Sequence, residues 1–358
     1  MTAADQADER ITTAEKVAFL SRAQAYGPDI EHVEVKETHM SWLFLAGDRV
    51  YKMKKPVRYP YLDFRSLEAR EANCHAETRL NRRLAPDVYR GVARLTRDSS
   101  GALALNGEGE TVDWLVVMRR LPEQRMLDHL IRQGAVSRRE IERVADILAR
   151  FYTRLEPVDI PVTEHIAMFV RQHRTNRELL AEPRFGVAGA LLDKVLTRID
   201  GFLERDSGLL AERVRGGRVI EGHGDLRPGH VCLCDPPVII DCLEFNRVLR
   251  LLDPFDELAD LALECERLGA AWIGPVLIER CAAELGDRPA GPLMAFYTAY
   301  RACLRARLAI RHLLDAEVAE PDKWPALARE YLEIAERACL SLPARADRPA
   351  NRSRGSGG

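Results

Sequence analysis

The chain has 358 residues, 46% hydrophobic and 30% charged, with a formal net charge of −2. That length accommodates two subdomains sharing a cleft or two small domains, and the near-neutral charge gives no electrostatic case for nucleic-acid binding. No apolar run approaches the ~20 residues a membrane span needs, and the polar start MTAADQADER is not a secretory signal. The eight cysteines stand singly, without a Cys-x-x-Cys pair. Reduced thiols in a cytoplasmic protein are expected, with neither zinc nor disulfides.

In chain order, Thr12 to Ala25 predicts an amphipathic helix capped by Thr12 or Thr13, with Glu15 in its first turn. The run VEVKETHMSWLFLAGDRVYKMKKPV alternates and breaks at Ala46-Gly47-Asp48, the pattern of a hairpin with a basic exit. Ser66 to Leu84 reads as a helix, with Glu77, Leu80 and Leu84 recurring at three and four and Ala85-Pro86 as its stop. Val88 to Leu95, Leu103 to Leu105 and Val112 to Met118 complete a small antiparallel sheet, whose last strand leaves towards Arg119-Arg120-Leu121-Pro122. From Met126 the pattern turns helical. Ser137 to Leu155 opens with Ser137 and Glu140 at the capping-box spacing. Glu164 to Glu182, Val187 to Arg205, Pro254 to Leu268, Trp272 to Leu285, Pro292 to Leu314 and Trp324 to Leu340 are further helices. The tail ARADRPANRSRGSGG has no apolar period and is expected to be disordered. The expected division is 1–117, 118–342 and a tail over 343–358. No GxxxxGK[ST] occurs, which excludes a second, P-loop nucleotide domain.

Between the helical runs lies VIEGHGDLRPGHVCLCDPPVIIDCLEFN, Val219 to Asn246. Asp225 and Asp241 each follow a short apolar run, so each leaves a strand at a fixed place. Two such carboxylates suit phosphoryl transfer, one orienting the attacking hydroxyl and the other holding the metal that carries the nucleotide phosphates. The order of His-Gly-Asp, Ile-Asp and then DPFDELADL at Asp253 to Leu261 resembles the catalytic segment of the aminoglycoside-phosphotransferase-like kinases, relatives of the protein kinases.

That resemblance implies an α+β, bilobal protein-kinase-like fold with a small antiparallel-sheet N-lobe and a mostly helical C-lobe. It implies ATP and Mg²⁺ as cofactors, with Mn²⁺ the second candidate. Lys52 corresponds to the strand lysine that steadies the phosphates, although Lys54 shares its face by the period of two. Glu77 corresponds to the helix glutamate that pairs with it, with Glu71 and Glu68 as alternatives. Val117, Met118 and Arg119 mark the hinge, where main-chain groups would read adenine. No G-x-G-x-x-G is present, so phosphate contacts would come from backbone N–H groups and the hydroxyls of Thr38 and Ser41.

In the loop itself, Asp225 would position the acceptor hydroxyl and Asp241 would bind the metal. Arg227 would approach the moving phosphoryl oxygens. His223 belongs with the catalytic candidates, with bracing of the loop as its simpler role. His230 stands where the family carries an asparagine, so a second metal would meet a nitrogen donor there, or an oxygen from Glu244 or Asn246. Asp256 would tie its helix back to the catalytic loop.

The expected activity is transfer of the γ-phosphoryl group of ATP to a small-molecule hydroxyl, of the sugar, aminoglycoside or amino-alcohol class. The altered metal position and absent glycine loop motivate a second reading, a nucleotide-binding regulatory pseudokinase. No nucleic-acid, membrane or obligatory protein partner is expected. Glu257, Asp260 and Glu264 share a helix face that would suit a cationic acceptor. Arg301, Arg305, Arg307 and Arg311 on a later helix would neutralise that face, greet an anionic acceptor, or form a solvated or salt-bridged helix surface.

Overall fold

The computed structural model describes residues 11–59, 62–314 and 320–343. The readings of residues 1–10 as no signal and of the tail beyond Pro343 as disordered lie outside the described residues. The chain has the expected α+β, protein-kinase-like fold, with a small antiparallel sheet in its N-terminal part and a largely helical remainder.

Helix α1 (Thr13–Leu20) starts with a capping box, in which Thr12 Oγ1 accepts the Glu15 amide at 3.2 Å and Glu15 reaches back to the Thr12 amide. The expected continuation to Ala25 does not form. The Ser21 amide and hydroxyl both donate to the Val17 carbonyl, at 2.9 and 2.7 Å, and a 3-10 turn (Ala23–Tyr26) follows. The alternating run then yields three strands rather than two: β1 (Val33–Glu37), β2 (Ser41–Ala46) and β3 (Arg49–Lys54). A two-residue pair, β4 (Arg58–Tyr59) and β5 (Leu62–Asp63), precedes α2 (Leu67–Asn81), and β6 (Tyr89–Arg97), β7 (Leu103–Leu105) and β8 (Glu110–Arg119) complete the main sheet. Its order is β1-β2-β3-β8-β6-β7, antiparallel throughout.

Thereafter come α3 (Leu127–Arg132), α4 (Arg138–Thr153), α5 (Val162–Leu180), α6 (Ala190–Arg205) and α7 (Gly208–Arg215). Four short strands follow, β9 (Ile220–Glu221), β10 (Val231–Cys232), β11 (Val238–Ile239) and β12 (Leu251–Leu252). Then come α8 (Pro254–Arg267), α9 (Ile273–Leu285), α10 (Gly291–Arg311) and α11 (Lys323–Cys339). The Ser137 and Glu140 capping box is present at α4.

The chain divides into two compact units, Met1–Glu156 with Ile220–Leu252 and Glu264–Leu285, and Pro157–Val219 with Asp253–Leu263 and Gly286–Gly358. The boundary expected at 117/118 falls inside the first unit. In that unit the strand period sorts side chains onto two faces. Phe44, Tyr51, Met53 and Leu115 pack with Leu20 of α1 on one face. Leu45, Val50, Val116 and Met118 pack with Cys74 of α2, Cys232 and Val238 on the other. Buried Asp113 on β8 fixes both helices to the sheet, accepting from Lys16 at 3.0 Å and Arg70 at 2.8 Å. In the second unit, Phe202 of α6 stacks on Phe296 of α10 at 4.1 Å between centroids. All eight cysteines are free thiols, seven of them buried. No helix among the described residues is long and apolar enough to cross a membrane.

Candidate active site

The candidate site is built from the first unit alone. Lys52 on β3 points to the face that packs on α2, and its Nζ lies 2.9 Å from Glu77 Oε1 and 3.0 Å from Asp241 Oδ1. Lys54, two residues on and so on the same face, holds Glu77 Oε2 and lies 2.5 Å from Glu244 Oε1. Glu77 therefore divides its oxygens between two lysines. The neighbours Glu68 and Glu71 have no part in this pairing. Glu244, a candidate metal oxygen, is instead buried against Lys54. Asn246, the other candidate oxygen, caps the turn after it by accepting the Val248 amide at 3.0 Å.

Burial opposes charge on all of these groups, and their partners decide the outcome. Asp241 and Glu77 outweigh burial at Lys52, holding its ammonium well above the usual range. For Lys54, Glu244 and Glu77 likewise outweigh burial and raise its pKa. Desolvation by the groups around Asp241 is overcome chiefly by Lys52, which holds its carboxyl well below the usual range. For Glu244 burial prevails over Lys54, and its pKa is raised.

Asp241 sits in the left-handed region, φ +61°, an uncommon conformation for a residue other than glycine that costs on the order of 1 kcal/mol or more. The backbone around it is pinned. Its N–H donates to the Tyr89 hydroxyl at 3.1 Å, and the next N–H, of Cys242, donates to Asn81 Oδ1 at 2.8 Å. Asn81 in turn donates to the Glu77 carbonyl at 3.0 Å, one turn back on α2. Tyr89 and Asn81 are absent from the sequence-derived candidates. A buried amide four residues after Glu77, on the same helical stripe, is the one sequence signal that points to Asn81.

The His-Gly-Asp loop is braced at both ends. His223 is fully buried, accepts the Asp225 N–H on Nδ1 at 3.3 Å and donates from Nε2 to the Ile240 carbonyl at 2.9 Å. Both ring nitrogens of His223 are thus engaged in holding the loop backbone. Gly224, at φ +87°, occupies a backbone conformation that favours glycine, and a Cβ there would lie 2.9 Å from the Arg250 side chain.

His230 is buried beside the two carboxylates. Its Nδ1–H donates to the Asp225 carbonyl at 2.9 Å, and its Nε2 accepts from Arg227 Nε at 3.0 Å. Burial and then Arg227 lower its pKa, so the ring is neutral. Nε2 also lies 3.5 Å from Asp241 Oδ2, and Arg227 Nε lies 3.3 Å from Asp225 Oδ2. Arg227, His230, Asp225 and Asp241 are thus brought together as expected.

Other expected residues contribute differently. The Thr38 hydroxyl closes its own turn, donating to the Ser41 carbonyl and accepting the Ser41 amide, both at 3.0 Å, while Ser41 is buried. On β8, Met118 faces the Lys52 side of the sheet, whereas Val117 and Arg119 face the other. Asp256 takes Arg301 as its partner at 2.7 Å, within the second unit, in place of the expected tie to the catalytic loop. Asp260 takes Arg305 in a two-pronged pair at 2.8 and 3.0 Å. Of the acidic face, Asp260 is thereby neutralised, and Arg301, Arg305 and Arg307 are buried, the first two in salt bridges.

A metal brought in by a nucleotide fits this donor set. Mg²⁺ in such sites takes one or two protein ligands and completes its shell with phosphate oxygens and water. Asp241 supplies a half-exposed carboxylate, and the proton on His230 Nδ1 leaves Nε2, 3.5 Å from that carboxylate and accepting from Arg227, as the ring's acceptor nitrogen. Among the described residues, no group of three or more His, Cys, Asp or Glu is arranged to hold a metal on its own.

No family model matches the sequence. Over 306 residues the chain is 35% identical to an uncharacterized protein of Mycobacterium tuberculosis (strain ATCC 25618 / H37Rv), and to one of Mycobacterium bovis. The match covers 80% of this chain, which spans only 60% of the length of those relatives. Among solved structures, a choline/ethanolamine kinase family protein from Mesorhizobium loti aligns with a TM-score of 0.50 at 16% identity, covering 92% of this chain and 99% of that one. A thermostable mutant of the aminoglycoside phosphotransferase APH(4)-Ia, in ternary complex with AMP-PNP and hygromycin B, aligns with a TM-score of 0.52 at 13% identity, covering 92% and 99%. The chain shares the protein-kinase-like fold of these choline/ethanolamine kinase and aminoglycoside phosphotransferase structures.

Proposed function

We propose that this chain is an ATP-dependent phosphotransferase acting on a hydroxyl of a small molecule. The observation that carries the reading is the meeting of Lys52, Glu77 and Asp241, which brings a strand lysine, a helix glutamate and a strand-end aspartate to one point. In the proposed reaction the acceptor oxygen bonds the γ-phosphorus, the bond to the β–γ bridging oxygen breaks, and ADP leaves. The hydroxyl proton passes late to Asp225, whose main job is positioning, since a loose transition state asks little of a base.

Lys52 would turn from Asp241 to the phosphates, while Lys54 continues to neutralise Glu77. Asp241, with His230 beside it, would hold the metal, which when bound neutralises charge on the phosphates. Ligation by His230 requires Arg227 to release Nε2, which would leave that guanidinium available to the transferring phosphoryl group. Adenine would rest on the apolar face formed by Val50 and Met118.

The relatives of known fold include enzymes named for choline and ethanolamine and one complexed with hygromycin B. Sugar, aminoglycoside and amino-alcohol hydroxyls are therefore the classes to test first. The deciding experiment is ATP consumption across a diverse hydroxyl library, with Mg²⁺ and with Mn²⁺. Turnover with one acceptor class supports the proposal. Tight nucleotide binding without turnover on any acceptor points to the regulatory pseudokinase, and absence of nucleotide binding refutes both.

A further inference from the structure

On the face of the sheet opposite Lys52 there is a cavity of about 320 Å³ lined by Asp48, Arg49, Arg90, Val117 and Arg119. Two of its arginines, Arg49 on β3 and Arg119 on β8, are direct cross-strand partners. Like charges placed opposite each other in an antiparallel pair are destabilising. The third, Arg90, is the extra residue of a bulge between Tyr89 and Gly91, a device that re-aims a side chain out of the strand alternation. Against three guanidinium groups stands one carboxylate, Asp48, 3.8 Å from Arg49 and itself 88% exposed. Among the described residues no carboxylate lies within 4.0 Å of a nitrogen of Arg90 or Arg119. The nearby Glu34 is engaged with Lys36 and Arg120.

A fold that keeps two arginines in register and bulges a third towards them accepts repulsion that an anion would relieve. We infer that this cavity is a binding site for a small multivalent oxyanion, a phosphate or polyphosphate group, distinct from the nucleotide site. The planar forks of three arginines supply paired N–H donors suited to such oxygens, and Val117 gives an apolar floor for an attached organic part. The site bears on the segment between sheet and helices. The Asp48 carbonyl accepts the Arg120 N–H at 2.7 Å, and the Arg119 N–H donates to the Val88 carbonyl at 2.8 Å, so the cavity walls are the anchors of the expected hinge.

The test is calorimetric titration of the full chain with pyrophosphate and with inorganic phosphate at low ionic strength, on wild type, R49Q/R119Q and Lys52→Met. The expected result is one saturable pyrophosphate site that survives Lys52→Met and weakens at least tenfold in R49Q/R119Q. In phosphate-free buffer R49Q/R119Q should also have a higher denaturant midpoint than wild type, and pyrophosphate should raise the midpoint of wild type but not of the variant. Binding that is absent, that R49Q/R119Q leaves intact, or that Lys52→Met removes while R49Q/R119Q retains it, would overturn the proposal. The last outcome would place the anion at the nucleotide site instead. A variant no more stable than wild type would remove the argument from repulsion, and with it the site.

Discussion

Lys52 lies 3.0 Å from Asp241, a contact between residues 189 positions apart that occupies the carboxylate proposed for the metal. Nucleotide and metal would have to part this pair, so Lys52 has one role before binding and another after it. Lys52→Met should keep the fold, because Lys54 still neutralises Glu77, and should lose roughly 10²–10³ in turnover, the usual worth of one positioned charge donor. Thermal melts and steady-state rates check this together. Full activity in Lys52→Met, with loss in Lys54→Met at unchanged stability, would move the phosphate role to Lys54.

Lys54 should behave as the structural member of the pair. Its removal leaves Glu244 and one oxygen of Glu77 buried without a partner. Breaking a buried ion pair from one side costs about 3–5 kcal/mol. Lys54→Met should therefore lower the denaturant midpoint sharply, and Lys54→Met/Glu244→Gln should recover part of the loss. Equal midpoints for the single and double variants would mean that Glu244 is not the group left stranded.

Asp225→Asn should lose about 10²–10⁴ in turnover, the contribution of a positioned base. The loop should survive, because its bracing bonds are made by the Asp225 main chain, through its amide to His223 and its carbonyl to His230. Near-wild-type phosphoryl transfer by this variant would take the side chain out of the mechanism.

Legibility of the site in the sequence followed the length of the signal. Asp225 and Asp241 each follow a short apolar run within a recognisable motif order, whereas the period of two leaves Lys52 and Lys54 on one face and only the family resemblance favours Lys52. Glu77 is marked by the same resemblance, through the Leu80, Leu84 and Ala85-Pro86 that follow it, with Glu71 and Glu68 left open. Asn81 and Tyr89 were not legible, because their partners, the amides of Cys242 and Asp241, lie 161 and 152 positions away and no local pattern encodes that contact. The same limit applied to Asp256. Its helix-start motif suggested the catalytic loop, but the i, i+4 match of Asp256 and Asp260 with Arg301 and Arg305 claims it within the second unit. Locally, α1 ends at Leu20 and a 3-10 turn takes up Ala23–Tyr26, a change of hydrogen-bond pattern that apolar periodicity does not register.

His230 should leave a mark on metal preference. An imidazole nitrogen beside Asp241 favours Mn²⁺ over Mg²⁺, whereas an amide oxygen suits Mg²⁺ better. His230→Asn should therefore reduce the ratio of Mn²⁺- to Mg²⁺-supported nucleotide affinity. The same ratio in both proteins, measured by titration with each metal, would leave His230 as a partner of Arg227 and the Asp225 carbonyl only.

His165 on α5 carries a pH dependence of a different kind. It is 1% exposed, packs edge-on against Phe169, and neither ring nitrogen has a hydrogen-bond partner among the described residues. Burial alone lowers its pKa from 6.5 to about 4. Because the folded value lies below the unfolded one, the unfolded chain takes up the proton first as pH falls. Stability from this residue is therefore complete above about pH 6.5 and is lost progressively towards pH 4. Between pH 7 and pH 5 the loss should be about 2 kcal/mol, from roughly 1.4 kcal/mol per pKa unit. Replacing the ring by an apolar side chain, His165→Leu, removes the titration without introducing a charge. Denaturant unfolding of both proteins at the two pH values isolates the effect, since every other titrating group cancels in the difference. If His165→Leu loses as much stability as wild type between pH 7 and pH 5, the acid sensitivity resides elsewhere.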